Sequence, residues 1–161
     1  HATTAAALAT AVEYAKIPRF SKLGFQTGSA IKHAAVRDSR TGLIWSAEPL
    51  AGGDRNWKDA IQAAKDCRLL GHDDWRLPTI TELLSIVDYE RWSPAVDTDF
   101  FLGPYGWTWS STPAAASAPA GYAWLVHLGY GYSVCYVQSD HGRVRAVRAG
   151  QLFAIGEAET P

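Results

Sequence analysis

Hydrophobic and polar positions change period twice along the chain. In AAVRDSRTGLIW (34–45), the apolar positions Val36 and Leu43 to Trp45 flank a turn of Asp, Ser, Thr and Gly, which predicts a β-hairpin. From Trp57 the period lengthens. Trp57, Ala60, Ile61, Ala64 and either Cys67 or Arg68 follow helical i, i+3, i+4, i+7 spacing, with Asn56 or Asp54 as the cap and Gly71 as the stop. A second helix is predicted after Pro78. Thr79 and Glu82 form a Thr-x-x-Glu capping box, Leu83, Ile86 and Val87 make its apolar stripe, and its end is expected near Asp88 or Tyr89.

After Pro94 the pattern returns to strand and loop. YGWTWSST and YAWLVHL read as strands separated by a flexible PAAASAPAG. YSVCYVQ alternates weakly. RVRAVRA alternates cleanly, with Val144 and Ala146 on one face and Arg143 and Arg145 on the other. Residues 3–16 have helix-forming composition and fit a short helix or an irregular leader, and the stretch up to Ala35 shows no clear periodicity. A hairpin, two helices and then a run of strands give an α+β class, because helices and strands are segregated rather than alternating. The expected organisation is a leader or arm over 1–30, one ligand-binding domain over 31–150 and a tail over 151–161.

Composition narrows the function classes. A chain of 161 residues is long enough for one domain with its own core. A net charge of -1 supplies no basic footprint for nucleic acid. No apolar run approaches the roughly 18 residues that span a bilayer, so neither nucleic acid nor membrane insertion is expected. Seven Trp and seven Tyr are many for this length; most of the Trp are assigned to the core, although large aromatics also suit binding surfaces. His1 reads as a processing or expression remnant rather than a copper-binding terminus.

Catalytic and metal chemistry is sparse. His72, Asp73 and Asp74 in GHDDW read as a solvated loop between the helices rather than an ion site. Asp97 and Asp99 read as turn formers rather than a calcium or acid–base pair. No glycine-rich phosphate loop follows a strand, and no Gly-x-Ser-x-Gly elbow is present. Cys67 lies in the helix pattern on its expected buried side, which suits packing better than nucleophilic attack. A non-enzymatic binding protein with no cofactor and no metal is the reading these residues favour.

Several segments, in order, carry a resemblance: RDSRTGLIW (37–45), NWKDAIQAAKDC (56–67), GHDDWRLPTITELLSIVD (71–88), WSST (109–112) and VRAVR (144–148). Together they resemble the C-terminal domain of the Legionella collagen-like adhesin, over residues 36 to about 149. The resemblance implies a C-type-lectin-like fold, with two helices packed on a mixed, mostly antiparallel sheet. It implies an extracellular or cell-surface location, or a phage particle, with no signal or anchor legible in these residues. It also implies a protein or glycan ligand, such as sulfated polysaccharide for a fixed adhesin, and leaves trimer and monomer open.

The departures from the family pattern matter. Members often carry a Cys in the last strand that matches one on the first helix; here Ala146 stands at the strand position, so Cys67 is left free unless Cys135 replaces the partner. The calcium-dependent sugar motifs of animal C-type lectins are absent, and AEPL (47–50) does not match them. The paired C-terminal cysteines of formylglycine-generating enzymes, which share the wider fold, are also missing, so that activity is not expected.

The family further resembles variable proteins of diversity-generating retroelements. Their mutagenesis at template adenines favours Asn codons, whose substitution yields Tyr, Ser, Cys, His, Asp, Gly, Arg, Val and Leu but not Lys, Glu, Gln, Met or Trp. In HLGYGYSVCYVQSDHGR (127–143) every residue except Gln138 belongs to the accessible set, and the chain retains a single Asn, Asn56. A GC-rich genome gives the same depletion of Asn, so a fixed adhesin-type binder stays beside the diversified one. Both readings place the ligand at Tyr130, Tyr132, Ser133, Tyr136, Gln138, Asp140, His141 and Arg143, with His127 and Tyr122 at the margin. Tyr supplies rigid amphipathic area and the short polar residues supply adaptable hydrogen bonds. Val126, Leu128, Val134 and Val137 are assigned to the core.

Overall fold

The computed structural model describes residues 17–25, 32–115 and 120–150. The anticipated helix over 3–16, the tail over 151–161, His1 and the middle of PAAASAPAG lie outside the described residues. Strand β1 (Phe20–Phe25) is followed by β2 (His33–Asp38) and β3 (Leu43–Ser46), helix α1 (Trp57–Asp66), a 3-10 turn (Leu69–Gly71) and helix α2 (Ile80–Ser85). Strands β4 (Trp107–Pro113), β5 (Tyr122–His127), β6 (Tyr132–Val137) and β7 (Val147–Ala149) complete the order. The class is α+β, as expected. The strands form two antiparallel sheets, ordered β1-β2-β3-β7 and β4-β5-β6, and a parallel bridge joins Thr108 to Arg143.

The β2–β3 hairpin closes where its turn residues place it. Gly42 takes φ +74°, a left-handed conformation that costs glycine little, and its amide bonds the Asp38 carbonyl at 2.8 Å. β1 had no periodic signal. It is an edge strand in register with β2 from Phe20↔Asp38 to Phe25↔His33, tied by Arg19 Nη2 donating to the buried Asp38 carboxylate at 3.0 Å.

Both helices begin at their expected caps. The Asn56 side chain accepts the Asp59 amide at 2.9 Å, and Thr79 and Glu82 form a reciprocal capping box. Small residues Ala60 and Ala64 are fully buried and let α1 lie close to the second sheet, while Leu83, Ile86 and Val87 bury the face of α2. Both helices stop earlier than the pattern predicts. Arg68 Nη1 takes the carbonyls of Lys65 and Cys67, and α1 ends at Asp66; Gly71 closes the separate 3-10 turn instead. The Ser85 carbonyl accepts from Arg19 Nη2 at 2.6 Å instead of continuing α2.

Two core clusters flank the second sheet. One gathers Trp45, Leu83, Phe101, Val126 and Leu128; the other gathers Trp75, Trp109, Ala60, Leu125 and Val144. Each large apolar side chain removed from water contributes about 1.5–3 kcal/mol before entropy is counted. The closing segment departs from its alternating pattern. β7 starts only at Val147, and Val144, Arg145 and Ala146 are all buried. Arg145 is not on a solvent face. Its guanidinium donates to the carbonyls of Ala47 and Leu102, and the Leu102 amide donates to the same Ala47 carbonyl at 2.8 Å, so the three residues tie two loops together. Cys67 and Cys135 are both free and half-buried, so Cys135 does not replace the family's missing partner.

Candidate functional site

The β5–β6 hairpin aligns its rings by register. Trp107 pairs with His127, and His127 pairs with Tyr132, so the three side chains form a row across one face of the sheet. Tyr136 follows four residues along β6 on the same face. The rings meet: the Trp107 centroid lies 4.9 Å from His127, 5.3 Å from Tyr132 and 6.2 Å from Tyr136. His127, Tyr130 and Tyr132 stack within 10° of parallel, with His127 and Tyr130 4.3 Å apart.

The turn between the strands fixes Tyr130. Gly131 adopts φ +79°, and a Cβ there would sit 3.1 Å from Ala95 Cβ and 3.2 Å from Val87 Cγ1. Its amide donates to the His127 carbonyl at 2.7 Å, and the Tyr130 amide donates to His127 Nδ1 at 3.1 Å. That bond makes Nδ1 an acceptor and leaves the proton of the neutral ring on Nε2. Burial, and then the nearby Arg143 charge, hold His127 below the ordinary histidine value.

Trp92 completes the surface. The Ser93 amide donates to the Gly129 carbonyl at 3.0 Å and the Ala95 amide to the Leu128 carbonyl at 2.9 Å, so this loop runs beside the turn and sets Trp92 on Tyr130 at 5.1 Å. Trp92 is 72% exposed, and Tyr130, Tyr132 and Tyr136 are 45%, 49% and 46% exposed. Rings that stack on one another yet stay this open form a contiguous aromatic surface. Large apolar side chains left in water in one patch mark an interaction surface more often than chance exposure does.

The expected site residues divide into groups. His127, Tyr130, Tyr132 and Tyr136 come together. Arg143 lies beside them, its guanidinium over Gly106 where a Cβ would collide, and its backbone bonded to Trp107 and Trp109. Tyr122, Gln138, Asp140 and His141 sit at the opposite end of the hairpin. There Gln138 Nε2 donates to the Tyr122 carbonyl at 3.2 Å and Asp140 Oδ1 accepts the His141 amide at 2.8 Å. Ser133 projects from the reverse face of β6. Val126 and Leu128 are buried as expected, but Val134 is half-buried and Val137 is 41% exposed. The reason is position: β6 is the outer strand, and a weakly alternating edge has less to cover it.

Trp92 and Trp107 were missed. Each belongs to a different segment and reaches the patch through long-range pairing. The other acid candidates are engaged elsewhere: Asp97 Oδ1 accepts the Asp99 amide at 3.1 Å in a turn, and Asp74 pairs with Arg148 at 2.6 Å. Among the described residues no group of three or more His, Cys, Asp or Glu is placed to hold a metal ion, and no helix is long and apolar enough to cross a membrane. Concavities of about 500 Å³ beside α1 and about 390 Å³ beside β1 lie apart from the rings.

Two antiparallel sheets with two helices, and a ring cluster exposed on an outer hairpin, define a small α+β domain. The chain belongs to the Lcl C-terminal domain family, whose model matches residues 34–148. It is therefore an adhesin-type C-terminal domain. No curated protein matches the chain.

Proposed function

We propose that the chain is a non-enzymatic ligand-binding module of an extracellular, cell-surface or phage-borne protein, and that its ligand, a protein or glycan, docks on the aromatic surface of Trp92, Trp107, His127, Tyr130, Tyr132 and Tyr136. The observation that carries this reading is the continuity of exposed, mutually stacked rings on a rigid hairpin. Tyr and Trp give large contact area at little cost in side-chain entropy, and Arg143 and His127 add polar handles at the edge. The scaffold reading that goes with it is C-type-lectin-like.

The finer reading is a retroelement-diversified binder. It rests on residues 127–143, which belong to the mutable set apart from Gln138 and which hold the displayed tyrosines. A fixed adhesin domain that binds glycan by ring stacking is the alternative. Flanking DNA separates the two: a reverse-transcriptase gene and a near-copy of the coding end, differing at template adenines, supports diversification, and their absence leaves the fixed binder. Binding itself is tested by replacing Tyr130, Tyr132 and Tyr136 together with Ala and screening both proteins on glycan and surface-protein arrays. Loss of every wild-type hit with the fold intact is the expected result. Unchanged hits would place the site elsewhere.

A further inference from the structure

Exposed strand edges template the addition of further strands, so stable sheets blunt them with Lys, Pro, bulges, short length or a covering element. Among the described residues, three of the four sheet edges are blunted. β1 carries Lys22 and a left-handed Gly24 (φ +64°). β7 is three residues long, and Arg76 bridges to Val147. The outer edge of β4 is bridged by Arg143, and the strand ends on Pro113. β6 has none of these devices. Its residues YSVCYV are uncharged, contain no Pro or Gly, and pair with β5 in unbroken register.

The neighbouring bonds fix which peptide groups of β6 point outward. The carbonyls of Tyr122 and Trp124 face away from β6, accepting the Ala114 amide at 2.9 Å and Ser110 Oγ at 2.7 Å. Ala123, Leu125 and His127 therefore face β6, and their partners Tyr136, Val134 and Tyr132 turn their peptide groups inward. The outward groups belong to Ser133, Cys135 and Val137. The Val137 carbonyl already accepts the Asp140 amide at 3.0 Å, and the Gln138 carbonyl accepts the Trp57 amide at 3.0 Å, which closes that end. Among the described residues, Ser133 and Cys135 remain as an open set of donors and acceptors.

We propose that this edge pairs antiparallel with β6 of a second copy of the chain, about a two-fold axis through Val134. In that register Ser133 faces Cys135 on both sides of the axis, and each pair exchanges two backbone bonds. Tyr132 faces Tyr136, a stabilising type of cross-strand pair, and no like charges meet because the strand has none. An axis through Cys135 would draw Val137 and Gln138, whose carbonyls are already engaged, into the ladder. A two-fold axis perpendicular to the sheet keeps each face on its own side. The two aromatic surfaces therefore join into one, to which each copy contributes Tyr132 and Tyr136. The inference rests on the strand edge and is independent of what the rings bind.

Sedimentation equilibrium and amide exchange of the full chain, under reducing conditions and from micromolar to millimolar concentration, test it. The mass is expected to rise from one chain to two. Over the same range the Ser133 and Cys135 amides slow. Ser133→Pro removes an outward donor, and Cys135→Lys places a charge on the edge; each is expected to hold the chain at one copy with unchanged circular dichroism. Three outcomes overturn the proposal. They are a single copy at every concentration, an oligomer of any size that survives both substitutions, and Ser133 and Cys135 amides equally protected throughout, which would mean that the chain covers its own edge.

Discussion

The imidazole of His127 lies 4.3 Å from the ring of Tyr130 and within 9° of parallel, and its Nδ1 accepts the Tyr130 amide hydrogen. Protonation of Nδ1 breaks that bond. Burial comes first, and the Arg143 charge second, in lowering the His127 value below its ordinary 6.5. A base whose folded value is lowered stabilises the fold fully above the unfolded value, and that contribution falls away as pH drops from there to the folded value. The expected result is a His127 titration midpoint below 6.5 by NMR, with the Tyr130 amide proton shift moving over the same range as the bond to Nδ1 is lost and the 3.2 Å bond to the His127 carbonyl remains. Arg143→Gln moves the midpoint up only part of the way, because burial remains. A midpoint at or above the ordinary value would contradict the geometry.

Trp92 meets the ring cluster at Tyr130 and is mostly exposed. Trp92→Ala is expected to change stability by no more than about 0.5 kcal/mol. The same substitution should shift the Tyr130 ring resonances, since the stacked face is uncovered. Trp107→Ala removes a half-buried ring that three others lean on, and is expected to cost about 3 kcal/mol. Equal costs for the two would mean that Trp107 is not the support of the cluster.

Local signals were legible and long-range ones were not. Asn56, the Thr79–Glu82 box and the Asp38–Gly42 turn act within four residues, so they were legible in the sequence, although for the first helix Asp54 stood beside Asn56 as a cap until the structure chose Asn56. The tyrosines stood out because they crowd one segment. Trp92 and Trp107 join them through the Ser93 bond to Gly129 and the Trp107↔His127 pairing, which no local period encodes. Arg145 misled for the related reason that alternation assumes a strand with one wet face. Its segment instead threads between two cores and meets Ala47 and Leu102, both distant in sequence.

Glu82 serves two partners. Its carboxylate accepts the Thr79 amide at 2.8 Å and pairs with Arg76 at 2.7 and 2.8 Å. Arg76 chiefly holds its pKa below the ordinary carboxylate value, and an acid shifted down stabilises the fold above its unfolded value and loses that contribution as pH falls through the folded one. Glu82→Ala is expected to cost about 1 kcal/mol near neutral pH through loss of the cap. The difference from wild type should shrink on acidification, as read by urea denaturation at several pH values. A difference that stays constant into acid would show that charge is not what Glu82 contributes.

Arg145 is the deepest test of the architecture. It is fully buried, burial pulls its pKa down to about 10, and it therefore stays charged at neutral pH. Its Nη1 donates to the Ala47 carbonyl at 2.7 Å, and its Nη2 donates to the Leu102 carbonyl. Arg145→Ala takes the guanidinium from the Leu102 carbonyl beside a cavity, while the Ala47 carbonyl keeps the Leu102 amide at 2.8 Å; the expected loss is about 3–5 kcal/mol by comparison with other large-to-small core changes. Arg145→Met refills most of the volume and removes the cost of burying a charge, but the Leu102 carbonyl, deprived of its donor, still costs about 1–3 kcal/mol. The Met variant should therefore fall between wild type and Ala in denaturant midpoint. If it matches wild type, the guanidinium's two bonds merely offset its own desolvation, and the loops around Ala47 and Leu102 are held by their own backbone bond and the core.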